Sequence, residues 1–261
     1  MIPLSLAIAL LGWLFGAEAV GTHPDVASII DKSVAANRIG WNAAPDYSYS
    51  ETDRDAHGSR TFRIHMIEGS PYQELIAVNG VPLQPDERSK QEGLRTAAAS
   101  MRRAESSEER NARIGKYQKQ RRRDSVLMEQ LTEAFDFKFV GEKQVGPYRA
   151  YVLKATPRKG YVPPNMESQV LPGMQGELWI DQETFQWIKV TARVMKPVSI
   201  EGFLARVEPG TYFELANTPV EGNVWLPQHY VMKSRSKILF VIGHETAANE
   251  TYFDYRKAQV D

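Results

Sequence analysis

The sequence predicts an α+β protein in which helices cover one face of a large, curved antiparallel sheet. Alternation of apolar and polar residues, the pattern of a half-buried strand, recurs from Asp46 to the end of the chain and indicates about ten strands. Helical patterns are confined to the N-terminus and to one insertion at about residues 85–134. The 261 residues, 42% of them hydrophobic, are enough to form a core without covalent staples.

The first residues predict export. Residues 4–16 form an apolar run that is short for a membrane-spanning helix, which needs about 20 apolar residues. Ala-Glu-Ala follows at residues 17–19 with the small-x-small pattern of a cleavage site, so residues 1–19 are expected to be a signal peptide. The mature chain would begin at Val20 and be soluble in the periplasm or outside the cell, with no permanent membrane anchor. A buried N-terminal helix is the alternative.

A helix and an antiparallel meander come next. The apolar residues of 26–38 recur at helical spacing, and Pro24 stands near the start, where a missing N–H costs little. The runs 61–67 and 72–78 alternate with period two, and turn signals follow each of them. One helix and a meander are therefore predicted before residue 85.

Residues 85–134 are rich in strong helix formers, which predicts a charged helical insertion, either a hairpin or one long helix. Between Asp86 and Asp124, twelve Lys and Arg outnumber seven Asp and Glu, although the whole chain has 32 of each class. The run Arg121, Arg122 and Arg123 is a candidate contact for an anionic partner. A solvated helix face with ion pairs is the alternative. The neutral chain as a whole gives no reason to expect nucleic acid as a partner.

Almost every segment after Phe137 alternates as a strand, beginning with a hairpin around Gly146-Pro147. Residues 160–176 hold too many Pro and Gly for regular structure and predict a long loop. In the strand near residue 190, Ile188 and Val190 are expected on one face and Trp187 on the other.

Catalytic motifs are missing from the sequence. It contains neither a glycine-rich phosphate loop nor a GxSxG nucleophile elbow, and the absence of Cys excludes thiolate metal sites and a cysteine nucleophile. His65 and His229 lie on predicted strands, whereas Asp181 lies between two strands, where a turn-forming role accounts for it. We therefore expect no enzyme, no metal site and no cofactor. A hydrolase that uses Asp181 or His229 is a third alternative.

The segment Gly176–Val190 (GELWIDQETFQWIKV) resembles one hairpin of the bacterial periplasmic lipoprotein-carrier superfamily, which includes LolA, LolB and RseB. The family's W-I-D-x-x-T-x-x-x-x-K run corresponds here to Trp179, Ile180, Asp181, Thr184 and Lys189. This resemblance implies an unclosed β-barrel wrapped around helices, with an apolar cavity for acyl chains. Residues 20–261 would then form one LolA-like domain. Because the chain has no lipidated cysteine, a LolB-like role is not expected.

The resulting hypothesis is an exported, non-enzymatic protein that binds an acyl chain or a lipoprotein, as a carrier or sensor in the cell envelope. The predicted lining residues of its cavity are Trp179, Ile188, Val190, Phe203, Phe213 and Tyr230. Residues 160–176 and the helix around Val126–Phe135 are the candidate covers of its mouth. Ordinary packing of a filled core is the alternative for the lining residues. The rival function is a protein-interaction module on the same fold, in which the basic segment 85–123 binds an acidic envelope partner.

Overall fold

The computed structural model describes residues 24–200, 205–238 and 242–258. The predicted signal peptide, residues 1–19, and the predicted lining residue Phe203 lie outside these ranges. The helices of the described part are α1 (Val26–Ala43), α2 (Pro85–Arg103), α3 (Ser107–Glu129) and the short α4 (Leu131–Ala134). None of them is long and apolar enough to cross a bilayer. Two 3₁₀ segments, Ala44–Asp46 and Glu167–Gly173, complete the helical structure of these ranges.

Thirteen strands form one sheet. They are β1 (Tyr47–Asp55), β2 (Gly58–Ile67), β3 (Ser70–Val78), β4 (Val81–Pro82), β5 (Phe135–Val145), β6 (Tyr148–Pro157), β7 (Met174–Asp181), β8 (Trp187–Val194), β9 (Val198–Ile200), β10 (Ala205–Val207), β11 (Tyr212–Glu221), β12 (Val224–Ile238) and β13 (Ile242–Lys257). The order is β4-β3-β2-β1-β13-β12-β11-β8-β7-β6-β5, with β10 beside β12 and β9 beside β10. In the described ranges this order does not close on itself, which confirms the predicted α+β class with a large open antiparallel sheet.

The sheet bends around α1. This helix contacts both β12 and β5, which lie far apart in the strand order, so the face that it touches is concave. The main core forms between α1 and strands β5 to β8 on this face. Its buried members are Ile29, Ile30, Ala134, Phe135, Leu153, Ala155, Leu171, Leu178, Ile180 and Trp187.

Polar contacts fix the position of α1 on the sheet. The indole Nε1 of Trp187 donates to Ser33 Oγ at 3.0 Å, and the hydroxyl of the fully buried Ser33 in turn donates a hydrogen bond to the carbonyl of Ile30 at 2.9 Å. The side-chain amide of Gln186 donates to the carbonyls of Ala36 and Asn223 at 3.1 and 2.8 Å. A buried donor that loses its acceptor lowers the free energy of unfolding by about 1–3 kcal/mol. These hydrogen bonds therefore favour one position of the helix on the sheet.

The predicted helical insertion is present as α2 and α3, joined through residues 104–106. At the start of α3, Ser106 Oγ accepts from the backbone N–H of Glu109, whose carboxylate accepts from the N–H of Ser106. This reciprocal capping box satisfies amides that would otherwise lack partners. It explains why the chain starts a second helix here instead of extending α2.

The prediction of one loop over residues 160–176 is wrong in part. Residues 167–173 form a 3₁₀ segment, and β7 begins at Met174. Leu171 is buried in the main core, and the side-chain oxygen of Asn165 accepts a hydrogen bond from the backbone N–H of the buried Ser168 at 3.0 Å. Burial of these side chains orders the segment despite its Pro and Gly content.

Candidate functional site

The concave face of β8, β11 and β12 brings three of the predicted lining residues together. Val190 pairs with Leu215 on β11, and Leu215 pairs with Tyr230 on β12. Phe213 follows on the same face of β11, and its ring centroid lies 5.5 Å from that of Tyr230 in an edge-to-face arrangement. Val190 packs against the core that α1 covers, so this row belongs to the concave face. All four side chains are only half-buried.

Trp179 and Ile188 lie on the opposite, convex face, so their predicted grouping with Val190 is wrong. The β7–β8 pairing shifts register beside Trp179 and leaves Ile188 without a partner on β7. Such a bulge adds one residue to a strand and changes which side chains face the core. Trp187 consequently occupies the core position. Ile188 and Trp179 belong to a second cluster with Ala150, Trp225, Val145 and Tyr148.

A carboxylate cluster occupies the concave face beside the apolar row. Glu51 and Asp53 alternate along β1, and Glu250 on β13 is the pairing partner of Asp53. Carboxylate oxygens of the three residues all lie within 4.8 Å of one another. Glu51 and Asp53 share a side-chain hydrogen bond, and the hydroxyl of Tyr252 donates to Glu250. One oxygen of Asp53 is buried without a hydrogen-bond partner in the described structure.

The surroundings of the cluster favour the protonated form of Glu51. Burial raises the pKa of Glu51 from its ordinary value of 4.5 to about 8, and the hydrogen bond and the negative charges of Asp53 and Glu250 add to the shift. Burial and the bond to Glu250 also raise the pKa of Tyr252. Three close carboxyls cannot all ionise without a counter-charge, so a protonated Glu51 is the stable form. The arrangement explains how acidic residues occupy an otherwise apolar and aromatic surface.

A cavity of about 380 Å³ opens beside this cluster. It is lined by Tyr49, Glu51, Ile64, Pro71, Tyr72, Gln73 and Arg102. Tyr49 also contacts the rings of Tyr252 and Tyr255, with centroids 5.9 and 5.3 Å away. The cavity is open to solvent, and its lining combines the apolar or aromatic Tyr49, Ile64, Pro71 and Tyr72 with the polar or charged Glu51, Gln73 and Arg102.

Helix α3 connects the two sides of the sheet. At its N-terminal end, Arg113 donates to the carbonyl of Glu68 and to Ser70 Oγ at 2.9 and 2.7 Å, in the β2–β3 turn. At its C-terminal end, Met128 packs against the main core. Between these points Arg121 donates to the backbone carbonyl of Trp41 on α1. The helix therefore passes over the concave side from β3 to the core around β5.

The three arginines predicted to act together have different surroundings. Arg121 is half-buried, with its guanidinium 5.0 Å from the ring centroid of Trp41 and 5.9 Å from that of Tyr117. Arg123 is 3.7 Å from the carboxylate of Glu167, whereas Arg122 is exposed. Consecutive helical residues are about 100° apart, so the run cannot present one common face.

The residues considered for catalysis have structural partners. Asp181 accepts from the N–H and hydroxyl of Thr184 at 2.8 and 2.7 Å, which confirms its turn-forming role. His65 is 2.6 Å from Glu74, and His229 is 3.0 Å from Asn249. The two histidines lie on β2 and β12, with β1 and β13 between them, so the structure does not bring them together.

No protein-family model and no curated protein matches the sequence. Solved structures do match. A domain named for outer membrane lipoprotein sorting, from Vibrio parahaemolyticus, has 11% identity and a TM-score of 0.34, with 90% of this chain and 92% of that chain covered. A LolA superfamily protein from Nitrosomonas europaea has 10% identity and a TM-score of 0.31, with coverages of 90% and 94%. The Pseudomonas aeruginosa MucA/MucB complex has 12% identity and a TM-score of 0.24, with coverages of 87% and 99%.

The carboxylate cluster was missed by sequence reasoning. Alternation places Glu51 and Asp53 on one face of a strand, and this was the available signal. The partner Glu250 lies almost a whole chain length away, and only the β1–β13 pairing brings it there.

Proposed function

We propose that this protein binds an acyl chain of a lipid or a lipoprotein on the concave face of its sheet, as a non-enzymatic carrier or sensor. The observation that carries the proposal is the half-buried apolar row of Val190, Leu215, Phe213 and Tyr230, which continues the main core beyond the part that α1 covers. A row of this kind presents apolar surface to a ligand on a rigid support. The predicted signal peptide supports a place in the cell envelope, in the periplasm.

Hydrophobic burial would supply the affinity. Each CH₂ group removed from water contributes about 0.8 kcal/mol, so a chain of several carbons outweighs a single polar contact. The cavity beside Tyr49 and Ile64 extends the apolar surface toward β2 and β3. Protonation of Glu51 favours this use, because a neutral carboxyl costs less to cover with hydrocarbon than a carboxylate does.

The position of α3 across the concave side favours a carrier or sensor over a permanently open binding surface. This helix joins the β2–β3 turn to α1 and the core, and its inward side chains, Tyr117 and Arg121, lie above the concave side. A helix held by a few side-chain contacts along its length can move without loss of the sheet. Movement of α3 would let a long chain enter and leave.

The test is uptake of a fluorescent fatty acid by the chain that begins at Val20, which retains every described element. Wild type should enhance the probe's fluorescence with near one site per chain. Phe213→Asp places a charge in the apolar row and should weaken uptake at least tenfold. Phe253→Asp is the matched control, because Phe253 is 40% exposed and pairs with Ser50 on the other face of β13 and β1.

Two results would contradict the proposal. One is a wild-type chain that takes up no probe and carries no lipid when purified gently from its own envelope. The other is an equal loss in both variants while their circular dichroism spectra stay native. In either case the half-buried row would be packed core, and an envelope protein partner of segment 85–123 would be the function to pursue.

A further inference from the structure

A short loop before the 3₁₀ segment exposes apolar side chains to solvent. Val162 is 80% exposed and Met166 is 42% exposed, with two prolines between them. The loop is nevertheless held in place, because the hydroxyl of Tyr161 donates to Gln130 Oε1 at 2.8 Å. Residues 160–166, here called the apolar loop, therefore project from a fixed base at the C-terminal end of α3.

Beside the apolar loop, the outward face of α3 is cationic. Lys116, Lys119 and Arg122 are exposed and recur every three residues, so they form one stripe. These three side chains form no ion pair with any residue whose side chain the structure describes. No Asp or Glu occurs from residue 110 to residue 123, and the inward positions are occupied by Ile114, Tyr117 and Arg121.

The stripe and the loop belong to the same end of the molecule. Arg123 lies 3.7 Å from Glu167, the first residue of the 3₁₀ segment that follows the loop. Exposed Lys159 precedes the loop, and its neighbour Arg158 is paired with Asp136 at 2.9 Å. Exposed Glu133 lines one surface depression together with Val162, Pro164, Arg158 and Lys159, and exposed Glu129 lies along α3 between the stripe and this depression.

We propose that the apolar loop and the stripe of Lys116, Lys119 and Arg122 dock reversibly on an anionic lipid bilayer. Val162 and Met166 would enter the headgroup region, and the three cations would lie over lipid phosphates. A protein partner would need a groove that matches the shape of these projecting apolar side chains. A bilayer interface has no fixed shape and accommodates them without such a groove. Basic residues near such a surface contribute about 1 kcal/mol each, and apolar contact adds to them.

This docking goes beyond acyl binding on the concave face and does not depend on it. The docked face carries α3, the helix that passes over the concave side. If both properties hold, docking places α3 against the membrane that contains the acyl chains. The two properties are measured separately, so failure of one leaves the other intact.

The absence of native cysteines allows a direct test of insertion. Val162→Cys, labelled with an environment-sensitive dye in the chain that begins at Val20, should brighten with vesicles of phosphatidylcholine containing phosphatidylglycerol. It should not brighten with phosphatidylcholine alone. Val81→Cys is the matched reporter, because Val81 is 60% exposed on the edge strand β4, and it should stay unchanged.

Charge reversal tests the stripe. Lys116→Glu, Lys119→Glu and Arg122→Glu combined should lower partition into the anionic vesicles on the order of 100-fold, and added salt should weaken wild-type binding. The control is Arg88→Glu, Lys90→Glu and Arg103→Glu combined, which reverses as many exposed charges on α2. This control should retain most of the binding.

Three results would overturn the proposal. The dye at position 162 could remain in an aqueous environment on vesicle-bound protein, the two triple variants could lose vesicle binding equally, or the wild-type protein could fail to bind vesicles. If the stripe variant loses instead a protein captured by wild type, and vesicle binding is absent, the surface is a protein interface. Fatty-acid uptake by the stripe variant should remain at the wild-type level, which separates docking from the binding site on the concave face.

Discussion

Arg121 lies over the indole ring of Trp41, with 5.0 Å between the guanidinium carbon and the ring centroid, and also donates to the backbone carbonyl of that residue. Trp41 belongs to the last turn of α1, where carbonyls lack helical partners and attract positive charge. One side chain therefore fastens the middle of α3 to the end of α1. The second amino group of Arg121 is buried without a partner in the described structure, so the cation is not fully satisfied where it sits.

Arg121→Ala is expected to loosen α3 over the concave side. The substitution removes a cation–π contact and a charged hydrogen bond, together about 1–3 kcal/mol. Amide hydrogen exchange should accelerate in residues 110–123 more than in β6 and β7. Arg122→Ala, on the exposed side of the same turn, is the control and should leave exchange unchanged. Equal acceleration in both variants would show that the Trp41 contact does not hold the helix.

The carboxylate cluster should make stability depend on pH. Burial holds the pKa of Glu51 at about 8 in the folded protein, against 4.5 without such surroundings, so the folded state binds the extra proton between these values. Stability is then greatest below pH 4.5 as far as this group is concerned and falls as pH rises through 8. Asp53, Glu250, Tyr49 and Tyr252 face Glu51 from β1 and β13.

Glu51→Gln keeps the shape and removes the titration. Urea unfolding should show a loss of about 1–2 kcal/mol between pH 5 and pH 9 in wild type, since partial solvent contact reduces the full effect. The variant should lose much less over this range. Glu245→Gln is the control, because that carboxylate is 74% exposed. A pH profile of the Glu51→Gln variant that parallels wild type would contradict the assignment.

Acyl uptake should also weaken at alkaline pH. Hydrocarbon over Glu51 excludes water and disfavours the carboxylate, so binding is coupled to proton retention and affinity falls as pH rises above about 8. We expect titrations with a fluorescent fatty alcohol, which does not itself ionise, to show a several-fold loss of affinity between pH 7 and pH 9.5. The same titration of Glu51→Gln should be flat. A flat wild-type profile would place the ligand away from the cluster.

The fold was predictable because its signals are local. Period-two alternation marks the strands, and helix formers mark 85–134, whatever the strands later pair with. Three of the six lining residues, Val190, Phe213 and Tyr230, came together for the same reason. The prediction for Ile188 was wrong because a β-bulge changes which face of the sheet a side chain lies on, while the alternation of apolar and polar residues in the sequence stays the same.

The polar part of the site depended on pairing between distant segments. Nothing near Glu250 in the sequence indicates that β13 returns to lie beside β1. For Arg121 part of the answer could be predicted from the sequence, because helical geometry alone separates its direction from that of Arg122 by about 100°. Only the contact with Trp41 determines which of the two turns inward.

We expect that replacing Gly40 of α1 by alanine destabilises the protein. A Cβ on Gly40 would lie 2.2 Å from the backbone carbonyl oxygen of Trp225 on β12, and backbone cannot move aside as a side-chain tip does. Gly→Ala within a helix normally stabilises by about 1 kcal/mol, so the sign is expected to reverse here. Gly40→Ala should destabilise by about 2 kcal/mol, because α1 must shift off the sheet.

The helical glycines Gly93 and Gly115 provide the matched comparison, since a Cβ at either position meets no atom within 4 Å. Gly93→Ala and Gly115→Ala should each raise the midpoint of urea unfolding, whereas Gly40→Ala should lower it. The shift of α1 should also reach the concave face, because the Ser33–Trp187 hydrogen bond depends on the same position of the helix. A Gly40→Ala variant as stable as Gly115→Ala would mean that α1 does not approach β12 so closely, and the bend of the sheet around the helix would have to be reconsidered.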